Sequence, residues 1–413
     1  MGRYVTAFFW QDVAPMRRVS LLTTMLLAGA TMTAGLSLSG CNVRQAVDIA
    51  TSGDAVTAAR RIVTGRLTSY ARDPEILIKD ARAVRATFDK LVAVLRGEAG
   101  EVWGGDTRTP ERTVYVKYSQ SYLSRAIVDF DRGTVRVETL DQNDPERSLI
   151  DAVIITLLSP DDPRSVDVYS AKPVELGGDP YLRGLVQDQA GREIGDRYSA
   201  ERYARWLWDQ RRETRAQATP RGTETVHAVE FSLTAGHLHA QAKRYAQLVE
   251  RNAQRFSVST SLIYAVIEVE SAFNPFAVSH VPAYGLMQLV PTSGGRDAYR
   301  HARGSDGIPG RDFLFEPANN IELGVAYLNL LDSRYLAGIH DPIAREYCVI
   351  AAYNGGSGNV FKVFDPDRTK AVARINELKP SAVLAELKRG LRSAETRRYL
   401  DKVLSARRSY VGV

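Results

Sequence analysis

The chain has 413 residues, about two ordinary domains in length, with a formal net charge of +6. At 44% apolar and 25% charged residues it is globular, which excludes a disordered, collagen-like or multi-span membrane chain. Two cysteines rule out a disulfide scaffold, and six scattered histidines, with neither Cys-x-x-Cys nor His-Glu-x-x-His spacing, point to no metal site and no cofactor.

The chain opens on a separate segment. Arg17 and Arg18 precede an uncharged, largely apolar run, residues 20–40, which ends in Leu38-Ser39-Gly40-Cys41. A basic start, an apolar middle and small residues before a cut are the parts of an export signal. The ending resembles the lipobox of bacterial lipoproteins, in which Cys41 is lipidated and becomes the mature N-terminus. An uncleaved anchor is the alternative, because the run is long enough to span a bilayer. Residues 1–40 are therefore expected to be a signal peptide, with Met16 a candidate start, and 41–70 a polar tether. Cleavage removes three arginines and one aspartate, so +4 of the +6 remains. That mild excess suits an anionic polymer and is no signature of nucleic acid. Asn42, where inner-membrane lipoproteins carry aspartate, points by the same resemblance to the outer membrane and a periplasm-facing protein. Cys348 is left alone in an apolar stretch and is expected to be plain core.

Asp73-Pro74-Glu75 is a helix start, and apolar spacing carries the helix to residues 97–100. Alternating segments follow at 113–118, 126–131 and 134–140, with Arg132-Gly133 supplying a hairpin turn. Residues 145–158 read as a helix, 166–169 as a short strand, 198–211 as a helix and 223–233 as a strand. This mixture predicts one α+β domain over residues 71–233. From 235 the pattern turns helical, with helices at 237–255, 260–271, 317–335, 342–353 and 394–407 and no strand run. Residues 235–413 are therefore read as an all-α domain.

At about 100° per residue, Leu262, Ile263, Val266, Ile267 and Val269 form one apolar face, and Glu270 falls near its middle. Glu268 projects to the opposite side as an ordinary solvated acid. A carboxyl on a buried stripe is costly to ionise, so its pKa rises and it can serve as a general acid. A Glu at a helix end that reaches past the core into water is the other reading, and helix geometry leaves both open. Asn274-Pro275 ends the helix and puts Glu270 in its last turn, where the dipole also favours the neutral form. An irregular loop, 277–283, leads to Tyr284-Gly285-Leu286-Met287-Gln288. A glycine beside an amide suits either a ligand cleft or a packed turn. Ala352-Tyr353-Asn354-Gly355 puts an aromatic and an amide at a helix C-terminus, where a plain cap is the alternative.

Glu270-Ser271, Asn274-Pro275, Ser279, Gly285-Leu286-Met287-Gln288 and Ala352-Tyr353-Asn354, in that order, resemble the motifs of family 1 lytic transglycosylases. The likeness extends through Phe313-Leu314-Phe315-Glu316-Pro317-Ala318-Asn319-Asn320-Ile321 and Glu395-Thr396-Arg397-Arg398-Tyr399. In the first domain, Tyr115-Val116-Lys117-Tyr118, Asp129-Phe130-Asp131 and Asp161-Asp162-Pro163-Arg164-Ser165-Val166-Asp167 fit the membrane-bound murein transglycosylase C subfamily. The loop His280-Val281-Pro282 departs from the family, which often has small or polar residues there.

The resemblance implies an α+β N-terminal domain followed by a lysozyme-like (goose-type, SLT) catalytic domain that cuts the glycan strands of peptidoglycan. It implies Glu270 as the single acid/base, without the second carboxylate of ordinary glycosidases. Ser271, Ser279, Gly285, Met287, Gln288, Tyr353, Asn354 and Tyr399 are the substrate-site residues it implies, with Ser271 also steadying the helix end. It implies lipidation at Cys41, no metal, no cofactor, and the membrane as a partner through that lipid. A lysozyme-type hydrolase and a non-catalytic wall-binding lipoprotein are the competing functions. In the first domain the residues offer no catalytic constellation.

Overall fold

The structure, a computed structural model, describes residues 74–411. The leader, Cys41 and the tether lie outside the described residues. Helix α1, Pro74–Trp103, runs a few residues beyond its expected end and leads through a single 3-10 turn toward the sheet. Strands β1 (Val114–Ser119), β2 (Ser124–Asp129) and β3 (Thr134–Thr139) form an antiparallel meander. Gly133, at φ +68°, supplies the left-handed turn residue between the last two. Helix α2 (Pro145–Leu158) starts on Asp144, whose carboxylate accepts from the Arg147 N–H, with Pro145 in the first turn. Helix α3 (Arg197–Arg211) starts on a reciprocal pair between Asp196 and Ser199. Both pack together on one face of the sheet. Strands β4 (Glu213–Thr219) and β5 (Gly222–Ser232) complete it in the order β1-β2-β3-β5-β4.

Two expectations change here. Residues 166–169 form no strand: Val166, Val168 and Tyr169 are buried, but their segment is a loop. Lys117 Nζ donates to the Asp167 carbonyl and, just past the segment, to those of Ser170 and Lys172, at 2.7–2.9 Å. A buried ammonium with three acceptors replaces a strand partner. Strand β4 was not foreseen.

The second domain is helical, as expected. Its first predicted helix is two, α4 (His237–Arg244) and α5 (Ala246–Phe256), broken at Tyr245. Around α6 (Thr260–Ser271) are set α7 (Gly294–Arg303), α8 (Arg311–Phe315), α9 (Pro317–Leu330) and α10 (Pro342–Gly355). Helices α11 (Ser357–Phe364), α12 (Arg368–Glu377), α13 (Pro380–Gly390) and α14 (Ala394–Arg408) close the fold. The stripe Ile263, Val266 and Ile267 is fully buried, so α6 is the central helix, packed by α5 and α14. Cys348 is buried in the core around it, and burial pushes its thiol up to about 12.

The two domains share an apolar core. Phe276, six residues past Glu270, packs its ring 4.8 Å from Tyr115 and 5.3 Å from Tyr181. Tyr284 meets Phe88 of α1 edge-on at 6.4 Å. The loop that follows the central helix is thus part of the first domain's core as well as of its own.

Candidate active site

Glu270 is the penultimate residue of α6, and its side chain is only 7% exposed. Beyond it the chain turns on two consecutive left-handed residues, Ala272 (φ +49°) and Phe273 (φ +60°), both without exposed surface. Such conformations cost energy in residues other than glycine and persist where packing over-determines them. Asn274 then locks the turn. Its Oδ1 accepts from the Phe276 N–H at 3.0 Å and its Nδ2 donates to the Arg112 carbonyl at 3.1 Å.

Burial pushes the Glu270 carboxyl up to about 7, by desolvation of its charged form. Arg112 and the Tyr399 hydroxyl pull it back, and Glu395 pushes it up. The Arg112 guanidinium stands 3.6 Å from Oε2. Glu268 is half-buried rather than freely solvated, its carboxylate accepts from the Tyr410 hydroxyl at 2.6 Å, and it lines the cavity described below.

Two phenols close over the acid. Tyr353, at the end of α10, donates to the Met287 carbonyl at 2.8 Å and packs on Tyr327. Tyr399, on α14, is 3% exposed, and its hydroxyl has no partner of good hydrogen-bond geometry among the described residues. Burial and the neighbouring Glu270 charge hold both phenols well above the ordinary value, so each stays protonated.

The turn Gly285 to Gln288 is built from the same parts. Ser271 donates to Ile267 and, at 2.8 Å, to the Leu286 carbonyl, fastening the end of α6 to the turn. Gly285 sits at φ +75°, and a Cβ there would come within 2.4 Å of both Asn320 Nδ2 and the Leu314 carbonyl. Asn320 spans the turn: its Oδ1 accepts from the Met287 N–H, and its Nδ2 donates to Tyr284 and Leu314. Gln288, left-handed at φ +47°, gives its Nε2 to the Ala277 and Gly285 carbonyls, while its buried Oε1 has no partner among the described residues.

The expected substrate residues therefore divide. Glu270, Tyr353 and Tyr399 come together at one place, and Gln288 follows Met287, whose carbonyl accepts from Tyr353. Ser271, Gly285 and Met287 are buried and shape the turn. Asn354 is half-buried, its Oδ1 accepting from Thr396 at 2.8 Å, which pins α10 to α14. The Ser279 hydroxyl is turned into its own loop, donating to the Val281 carbonyl.

A cavity of about 540 Å³ lies beside the acid, between the domains. Arg112, Asp131, Val269, Ser279, His280 and Lys402 are among its walls. Arg112, from the first domain, joins cavity and acid. Neither Arg112 nor Asn320 was singled out as a site residue in the sequence. Asn320 lies in the family-like run Phe313 to Ile321, but Arg112 carries no local signal at all. Among the described residues no three His, Cys, Asp or Glu cluster as a metal site would need, and no helix is long and apolar enough to cross a membrane.

Comparison with known proteins covers both domains. Residues 77–244 match the family model described as the N-terminal domain of membrane-bound lytic murein transglycosylase C, and residues 247–376 match the transglycosylase SLT domain. A membrane-bound lytic murein transglycosylase C from Klebsiella pneumoniae is 40% identical over 338 residues, 81% of this chain and 91% of that protein. Its counterpart from Yersinia enterocolitica is 39% identical over 340 residues, 82% and 92% of the two chains. Among solved structures, an inactive mutant of the lytic transglycosylase Slt from Pseudomonas aeruginosa shares 28% identity. That match spans 40% of this chain and 23% of the other at a TM-score of 0.29, an overlap too small to carry an argument.

Proposed function

The chain belongs to the membrane-bound lytic murein transglycosylase C family, and from that premise we propose that Glu270 is the single acid/base with which it cuts peptidoglycan. The enzyme is a lytic transglycosylase, a lyase acting on peptidoglycan glycan strands. The observation that carries the assignment is one buried carboxyl, held near pKa 7, between a cation and two phenols beside an open cavity.

In the first step Glu270 donates its proton to the glycosidic oxygen between N-acetylmuramic acid and N-acetylglucosamine. The bond from that oxygen to the muramyl anomeric carbon breaks as the muramyl acetamido oxygen bonds to the same carbon. In the second step the sugar's own 6-hydroxyl oxygen attacks the anomeric carbon and displaces the acetamido oxygen. Its proton passes to the Glu270 carboxylate. The product ends in 1,6-anhydro-N-acetylmuramic acid and the acid is restored for the next cycle. An attached hydroxyl has a high effective concentration, so no second carboxylate has to activate water.

The orphan Oε1 of Gln288 is an acceptor for an acetamido N–H or a sugar hydroxyl, with Nε2 held still by two carbonyls. The Tyr399 hydroxyl donates to the Glu270 carboxylate between the two steps. Asn354 and Ser279 line the approach of the glycan. Lipidation of Cys41 would tether the enzyme to the outer membrane, facing the periplasm.

Mass spectrometry of the muropeptides released from purified sacculi tests the chemistry. Anhydro ends are expected, whereas reducing muramyl ends would mean hydrolysis by water. A Glu270→Gln variant is expected to release neither, and full activity in that variant would remove Glu270 from the mechanism.

A further inference from the structure

Arg112 belongs to the first domain, in the short segment before β1, yet its guanidinium is the one cation found facing Glu270 among the described residues. The other groups facing that carboxyl are Tyr353 from α10 and Tyr399 and Glu395 from α14. Tyr353 commits its proton to the Met287 carbonyl, and Glu395 has the wrong sign. When Glu270 has given its proton away, Arg112 and the Tyr399 hydroxyl are what remains to stabilise the anion.

The backbone that carries the cation is fixed in place. The Arg112 carbonyl accepts from Asn274 Nδ2, four residues past Glu270, so one hydrogen bond ties the segment bearing the cation to the helix end bearing the acid. The neighbouring Glu111 N–H donates to the Val114 carbonyl at 2.8 Å, and the Thr113 carbonyl accepts from the Phe130 N–H at 2.9 Å. Tyr115, the next residue but one, packs on Phe276. At 3.6 Å the half-exposed guanidinium attracts the buried carboxylate while keeping water on its other side, and the pair is not a locked, bidentate bridge. A locked bridge would keep the acid ionised and useless for the first step.

We propose that Arg112 is the positioning residue for the Glu270 acid/base, holding its carboxylate between the two proton transfers, so that the catalytic centre is complete only with the N-terminal domain docked. The proposal rests on the reading of Glu270 given above. Arg112 stabilises the anion that the first transition state begins to form, which lowers that barrier.

The experiment uses the purified full chain carrying Arg112→Gln, Arg112→Ala or Arg112→Lys, with Glu270→Gln in parallel. It measures kcat, KM, the pH profile on purified glycan, and thermal melting. The Gln and Ala variants are expected to lose at least about tenfold in kcat with KM nearly unchanged. Their descending alkaline limb should move to higher pH, because removing a nearby cation raises the pKa of the acid. Arg112→Lys should recover most of the rate and return the limb toward its original position. Unchanged kcat and limb in Arg112→Ala would overturn the proposal. So would a raised KM at constant kcat, which marks a substrate contact, or a rate loss that follows lowered melting without rescue by Lys. In each of those cases an inactive Glu270→Gln leaves the acid/base reading standing, whereas an active one removes that reading itself.

Discussion

Phe276 and Tyr115 pack ring against ring at a centroid distance of 4.8 Å and a tilt of 54° across the junction of the two domains, each with almost no exposed surface. The contact places the loop after α6 against the first strand of the sheet. Truncation with Phe276→Ala should cost about 3–5 kcal/mol in urea unfolding, the usual range for a buried aromatic. It should also lower the rate on sacculi, because Arg112 and Asn274 sit on the two segments this ring pair holds together. A variant that loses stability but keeps its full rate would uncouple the junction from the centre.

The acid must be protonated to begin, and burial holds it near pKa 7. Activity should therefore fall as pH rises through about 7, with the limb absent from a profile of binding alone. Measuring kcat/KM from pH 5 to 9 checks this, since that ratio reports the free enzyme's essential groups. A limb near pH 4.5 would mean a freely hydrated carboxylate.

The same shift makes a statement about stability. The folded pKa, about 7, lies above the ordinary 4.5, so the folded state holds its proton more tightly than the unfolded one. That contribution is complete below about pH 4.5 and is lost as pH rises through about 7. Glu270→Gln has no charge to bury, so relative to the parent it should gain on the order of 2–3 kcal/mol between pH 5 and pH 8. Denaturant melts at the two pH values give the difference directly.

Gly285→Ala should fail for two reasons at once. The backbone there is left-handed, and the new methyl would meet the Leu314 carbonyl and the Asn320 amide at 2.4 Å. A loss of roughly 2–4 kcal/mol and a sharp fall in rate are expected, read by thermal melting and sacculus digestion.

Asn320→Leu keeps the volume and removes three hydrogen bonds. It leaves the Met287 N–H and the Tyr284 and Leu314 carbonyls buried without that partner, at about 1–3 kcal/mol each for groups that find no substitute. The turn bearing Gln288 should loosen, so KM should rise along with the drop in stability.

What the sequence revealed was what local periodicity can carry. Glu270 stood out because a carboxyl interrupted the stripe of Ile263, Val266 and Ile267, and the structure buries that stripe completely. The Arg132-Gly133 hairpin was visible as a turn, and α2 and α10 start at Pro145 and Pro342, where the apolar spacing puts them. Strand β4 was not, because Glu213-Thr214-Arg215-Ala216 lies at a sheet edge with little apolar surface to alternate. Val166, Val168 and Tyr169 are buried, but the Asp167 carbonyl between them accepts from Lys117, fifty residues away, and not from a neighbouring strand. The break at Tyr245 falls inside continuous amphipathic spacing. Ser271 and Met287 sit in the right motif, but they serve it from beneath. Arg112 could not be found by any such reading: its meaning lies wholly in the docking of two domains.

Cys348 lies at the heart of the helical domain, and no reagent can reach its sulfur while the helices stay packed. Labelling of that thiol by an alkylating probe would thus proceed only through opening of the fold, at a speed set by how often the catalytic half comes apart. The molecule carries its own unfolding clock, and binding of glycan between the domains should slow it.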